Sequence, residues 1–215
     1  MFIRGVKLMK RIYFDTEFTE LSKNCDLISI GCVIKENSSL KYFYAEIKDI
    51  NVSKQSYWIR ENVIKNCLFL GKNNYSDIKK HLNEIDNIEY CFGTFTEVRK
   101  ALKQWIIDNR GNEKVQFVSD VSSYDFVLLV DLLTNHGTAL DLPEYIVSDC
   151  YNISQTIADT LFNKDLGDAF DVTREQYLTK HDEDEFCLYN IIKNPKHNAL
   201  WDAYVISKVG DRYGI

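Results

Sequence analysis

Residues 11–18 read RIYFDTEF, and the two apolar runs that follow, 27–34 and 40–47, read LISIGCVI and LKYFYAEI. In the first, Ile12 and Phe14 fall on one side of an extended chain, with Tyr13 and Asp15 on the other. β-Branched and aromatic residues dominate all three runs, as expected of strands. Asn37, Ser38 and Ser39 suit a hairpin turn between the second and third. Three strands in succession predict an antiparallel meander.

Working outward, Trp58, Ile59, Val63, Ile64 and Cys67 recur at helical spacing and predict a helix over 56–70. A second helical stretch, with a polar face, is predicted over 73–88. Thr94 followed by Glu97 matches a capping box, and Val98, Leu102, Trp105 and Ile106 form the apolar stripe of the helix behind it. Further on come a short buried strand at 115–119 and a helix at 124–135, capped by Ser122 or Ser123. A strand at 145–149 and a helix at 154–162 follow. Residues 163–187 are polar and show no clear period. Asn194-Pro195 breaks the chain, and a last helix is predicted over 199–212. This order predicts an α/β fold with a mixed central sheet, its first three strands antiparallel, flanked by helices. No internal boundary is visible, so residues 1–215 read as a single domain. Met9 directly precedes KRIYFD and reads as an alternative start, which would make residues 1–8 an N-terminal extension.

Composition narrows the function. Two prolines and nine glycines leave little room for a linker or a low-complexity arm. No apolar run approaches the ~18 residues of a membrane span, and the N-terminus has no secretory pattern. The six cysteines form no CxxC pair and none sits near a histidine at zinc spacing. They read as buried free thiols in a reducing cytoplasm. A net charge of −6 argues against a broad basic groove for long duplex DNA. It does not exclude an enzyme whose carboxylates hold cations, because bound metal inverts the local field.

Three places carry chemistry. Asp15 and Glu17 stand two apart on a strand and therefore share a face, at the end of an apolar run. Two like charges so placed invite protons or hard cations such as Mg²⁺ or Mn²⁺, although a lone pair of this kind is also common at solvated strand ends. Asp125 opens an apolar helix, where the helix dipole favours a carboxylate, and Asp120, ending the preceding strand, competes for the same role. His197 and Asp202 are five apart, about 140° around a helix, and converge only if His197 lies on the loop before it. Asp202 then points inward among Leu200, Ala203 and Ile206. His81, His136 and His181 lack any such setting and read as surface or structural.

In combination and order, these segments resemble the DEDDh branch of the DnaQ-like 3′→5′ exonucleases, with a ribonuclease H-like fold. DTEFTEL, from Asp15 to Leu21, stands where that family has its first motif. Tyr124-Asp125 stands at the end of the second and favours Asp125 over Asp120. His197 and Asp202 match the third, H-x₄-D. DTEF, SSYDFVLL and HNALWDA are similar to the RNase T-like group that includes the mycobacterial RNase AS-like exoribonucleases, and LPEYIVSDCYNISQTI extends the likeness loosely. The chain departs from the pattern at Glu20 and at Asp120, positions that bear on substrate preference.

The resemblance implies two Mg²⁺ ions, with Mn²⁺ as substitute, held by Asp15, Glu17, Asp125 and Asp202, with His197 as general base. It implies a single-stranded 3′ end as partner, RNA in preference to DNA, and a homodimer. It also implies that the Thr16 backbone lies near the terminal 3′-hydroxyl and that Leu21 packs on terminal bases. Phe18, Trp58 and Tyr124 are candidates to stack on bases, or else belong to the core.

Overall fold

A computed structural model describes residues 9–22, 24–36, 39–161, 174–188, 191–192 and 195–215 of the chain. The hairpin turn at Asn37 and Ser38, residues 1–8, Phe162 and Asn194 lie outside the described residues. The meander forms as the sequence requires: β1 (Met9–Phe18), β2 (Leu27–Glu36) and β3 (Ser39–Ile47) pair antiparallel in succession. β4 (Ile88–Gly93) adds parallel to β3, β5 (Lys114–Ser119) parallel to β1, and β6 (Tyr151–Asn152) parallel to β5. The sheet order is β4-β3-β2-β1-β5-β6.

Helices cover both faces. On one face Ile12, Phe14, Cys32 and Phe43 pack against the apolar stripes of α3 (Phe95–Arg110) and α4 (Ser122–Thr134). On the other, Tyr13, Val33, Tyr42 and Tyr44 pack against α5 (Ile153–Leu161) and α7 (Ala199–Tyr213), the C-terminal helix. The period of two along β1 thus sends alternate residues into separate cores. Thr94 caps α3 with the full reciprocal box to Glu97.

Three predicted elements come out differently. The helix at 56–70 stops early: α1 (Tyr57–Asn62) gives way to a 3₁₀ turn at Ile64–Asn66. The buried Glu46 carboxylate accepts the amides of Leu68 (2.5 Å), Phe69 (3.1 Å) and Leu70 (2.7 Å), which pulls those residues out of any helix. The stretch at 73–88 shortens to α2 (Tyr75–Leu82); Asn87 turns left-handed (φ 64°) and Ile88 starts the unforeseen strand β4. The strand at 145–149 reduces to a single bridge between Val115 and Ile146. The aperiodic stretch contains a 3₁₀ turn at Arg174–Tyr177 and the short α6 (Lys180–Glu185), capped by Thr179. Cys32 and Cys67 are buried, but Cys25, Cys91, Cys150 and Cys187 are only half-buried; all six thiols are free.

Two features of the sheet make room for a site. β1 pairs with β5 only as far as Tyr13, opposite Val118, but continues beside β2 to Phe18. A crevice therefore opens at the carboxyl ends of two parallel strands, the usual place for ligands in such sheets. On the neighbouring strand, Gly31 sits opposite Asp15, and a Cβ there would lie 2.3 Å from Ala199 O and from Leu200 N. The first turn of α7 thus rests directly on the sheet backbone beside Asp15.

Candidate active site

The crevice holds a cavity of about 390 Å³. β1 supplies Asp15 and Glu17 from one face of the strand. Asp120 follows the last residue of β5, Asp125 sits in the first turn of α4, and Asp202 in the first turn of α7. All five carboxylates line the cavity, as does His197. Their potential ligand atoms fall into two groups, Asp15–Asp120–Asp125 and Glu17–His197–Asp202. Within each group the atoms lie within 4.8 Å of one another.

Each side chain is held by its own surroundings. Because β5 no longer pairs with β1 beyond Tyr13, the Thr16 amide is left to donate to Asp125 Oδ1 at 3.2 Å. The Thr16 hydroxyl donates to the same oxygen at 2.6 Å, and Ser119 Oγ donates to Oδ2 at 2.5 Å. Thr16, expected beside the terminal 3′-hydroxyl, lines the cavity but commits both donors to Asp125. His197 lies on the loop before α7, with Nδ1 at 4.0 Å from Glu17 Oε1. Trp58 and the imidazole meet in a T-shaped contact at a centroid distance of 5.3 Å. Arg174, on the 3₁₀ turn, brings its Nε to 3.5 Å from Asp120 Oδ2.

Crowding five carboxyls in a buried place shifts their ionisation. Burial raises Asp15 well above the carboxylate range, and the charges of Asp125, Asp202, Glu17 and Asp120 add to it. Glu17 is pushed up to about 8, by burial first and then Asp125. Asp125 rises to about 7 through burial, in spite of the hydrogen bonds from Ser119 and Thr16. Asp202 rises well above its usual value, through burial and then Glu17 and Asp120. Asp120 is also raised by burial, with the Arg174 guanidinium opposing. Burial and then Lys196 lower the His197 imidazole below 6.5. A site that resists carrying its own negative charge is one that takes up protons or cations. Its donors, carboxylate oxygens with one imidazole, suit a hard divalent ion such as Mg²⁺ or Mn²⁺.

The other sequence candidates surround this centre. Phe18 and Tyr124 line the cavity and stack on each other, with rings 5.5 Å apart and 15° from parallel. Leu21 and Trp58 are exposed (73% and 53%) and line a second hollow, of about 900 Å³, which shares Glu17, Phe18, Leu21 and His197 with the first. Sequence reasoning missed Arg174, Glu175 and Lys196 as cavity residues. Ser119 as an orienter of Asp125 was missed too. Arg174 and Glu175 sit in the stretch without a period, and nothing in their local sequence marks them.

Among solved structures, cell-death related nuclease 4 (CRN-4) is similar in fold. The TM-score is 0.53 at 17% identity, and the match covers 94% of this chain and 62% of that one. The chain thus spans less than two thirds of that nuclease's length. With the observed sheet order, this likeness supports the ribonuclease H-like fold class. No curated protein matches the chain at a significant level. Residues 10–210 match the family described as the 3′-5′ exoribonuclease Rv2179c-like domain, and by that match, which takes in nearly the whole sequence, the chain belongs to the Rv2179c-like exoribonuclease family.

Proposed function

We propose that the chain is a DEDDh-type 3′→5′ exoribonuclease. It removes nucleoside 5′-monophosphates from single-stranded RNA ends, with two divalent ions, Mg²⁺ in the first place, held by Asp15, Glu17, Asp125 and Asp202. The observation that carries this reading is the meeting of carboxylates from β1, α4 and α7 in one crevice, with His197 at its mouth. When bound, the cations acidify the attacking water and offset charge on the phosphoryl and leaving 3′-oxygens. His197 accepts the proton of that water; burial keeps the imidazole neutral and so ready to do it near neutral pH. Thr16 and Ser119 fix Asp125 in one rotamer. The hollow beside Leu21 and Trp58 receives the bases next to the scissile bond, where stacking tolerates any sequence.

In this reading residues 1–215 act as a single exonuclease domain and pair as a homodimer. The six free thiols fit a reducing, cytoplasmic setting. Among the described residues, no helix is long and apolar enough to cross a membrane. A deoxyribonuclease would use the same centre, and discrimination rests on contact with the 2′-hydroxyl. Digestion of matched 5′-labelled RNA and DNA oligonucleotides, with Mg²⁺ and with EDTA, separates the two. A 3′→5′ ladder on RNA that EDTA abolishes is the expected result. A ladder on DNA alone would move the substrate to DNA, and no Mg²⁺-dependent ladder on either would overturn the reading.

A further inference from the structure

We propose that Asp120 is a fifth carboxylate of the metal centre, sharing one divalent cation with Asp15 and Asp125 and oriented by Arg174. The inference rests on the metal-dependent reading above and extends its ligand set. β5 runs parallel to β1, so the residue that follows β5 arrives at the same end of the sheet as Asp15. The potential ligand atoms of Asp15, Asp120 and Asp125 lie within 4.8 Å of one another. Oxygens sharing one Mg²⁺ sit roughly 3 Å apart, so a small side-chain adjustment closes the set.

Asp120 has a charged partner behind it, as ligating carboxylates commonly do. Arg174 Nε stands 3.5 Å from Oδ2. Arg174 Nη2 donates to Ser154 Oγ at 2.5 Å, and Ser154 Oγ donates in turn to the Asp120 carbonyl at 2.8 Å. The guanidinium is thereby tied to the side chain and the backbone of one residue. Charge agrees with this arrangement. The Arg174 guanidinium sets a positive charge directly beside the Asp120 carboxylate. Were Asp120 only an anchor for the turn that carries Arg174, its replacement would leave ion uptake as it is.

Titration calorimetry of Mn²⁺ into the metal-stripped chain decides between these roles, using wild type, Asp120→Asn, Arg174→Gln and Asp15→Asn, with melting in EDTA to verify folding. Wild type is expected to take up two ions. Asp120→Asn should weaken one of them by 100-fold or more and leave the other in place. Arg174→Gln should weaken that same ion by roughly 10–100-fold, the usual effect of losing a second-shell partner. If Asp120→Asn melts early, Asp120→Ser serves in its place, and if Arg174→Gln does, Arg174→Lys serves. An Asp120→Asn isotherm that superimposes on wild type, while Asp15→Asn has lost an ion, would sink the inference and spare the nuclease reading. A wild-type chain that takes up no Mn²⁺ would sink both.

Discussion

At His197 the backbone takes φ 60°, a left-handed conformation that a side-chain-bearing residue adopts only when its surroundings dictate it. Asn198 supplies much of that dictation. Its Oδ1 caps α7 by accepting from Leu200 and Trp201, and its Nδ2 donates to the Tyr44 hydroxyl and to the Asn66 carbonyl. Asn66 Nδ2 donates back to the Lys196 carbonyl at 2.6 Å. The loop is pinned on both sides of the histidine while the imidazole stays partly open to the cavity. In the role of general base proposed for it, a histidine held this way acts on the chemical step. His197→Ala is therefore expected to lower kcat by roughly 10²–10⁴-fold with KM little changed, measured on a 5′-labelled RNA oligonucleotide. An unchanged kcat would remove the base role. The carboxylates and this histidine are legible in the sequence, because strand alternation and the start of a helix fix where each must point. The partners that orient them are not. Thr16 reaches Asp125 only because β1 outruns β5, and Arg174 reaches Asp120 from 54 positions further along the chain, a long-range closure without local trace.

Among the elements, α7 decides whether the site exists, since it carries Asp202 and follows the His197 loop. Its approach is limited by one residue of β2. At Gly31 an added methyl would meet Ala199 O, Leu200 Cα and Leu200 N, all at 2.3 Å and all backbone, which cannot swing aside. Gly31→Ala should push the first turn of α7 off the sheet. The expected cost is roughly 1–3 kcal/mol of stability. Activity should fall more, on the order of 10²-fold, since a displacement of about 1 Å at a reacting centre has that effect. Chemical denaturation and single-turnover cleavage measure the two; a wild-type rate in a folded variant would deny α7 this positioning role. An isolated glycine inside a strand signals close backbone approach, but the sequence does not say what approaches. The same limit explains the elements that come out differently. The helical spacing from Trp58 to Cys67 is real, yet Glu46, on a neighbouring strand, captures the amides of 68–70 and ends it. Strand β4 is short and only half-buried, and its pairing with β3 settles what its own period leaves open.

For the whole molecule, a cluster of carboxyls with raised pKa makes stability depend on pH in a direction opposite to ordinary surface acids. A carboxyl whose folded pKa lies above its unfolded one binds its proton more tightly in the folded chain. The stability it contributes is complete below the unfolded value and is lost as pH rises through the folded value. For Glu17 that window runs from 4.5 to about 8, and for Asp125 from 3.8 to about 7; Asp15 and Asp202 shift the same way. His197, lowered from 6.5, works in the other direction, but it is one imidazole against five carboxyls, Asp120 being raised by burial as well. Glu97 and Asp182, held down at about 2, are already ionised in both states through this range. The metal-free chain should therefore melt at lower temperature as pH rises from 5.5 to 8. A net shift of two pKa units would lower Tm by roughly 6–11 °C for a chain of this size. Mg²⁺ should restore Tm at pH 8, where the carboxylates are ionised, and do little at pH 5.5, where protons occupy the site. Asp202→Asn in EDTA should flatten the pH dependence and raise Tm at pH 8 while abolishing cleavage, because the charge that strains the apo fold is the charge that the cations need. Melting curves across pH, with EDTA and with Mg²⁺, read this directly. A metal-free Tm that climbs between pH 5.5 and 8, or an Asp202→Asn variant less stable than wild type at pH 8, would show that the five acids do not share a buried, cation-seeking site.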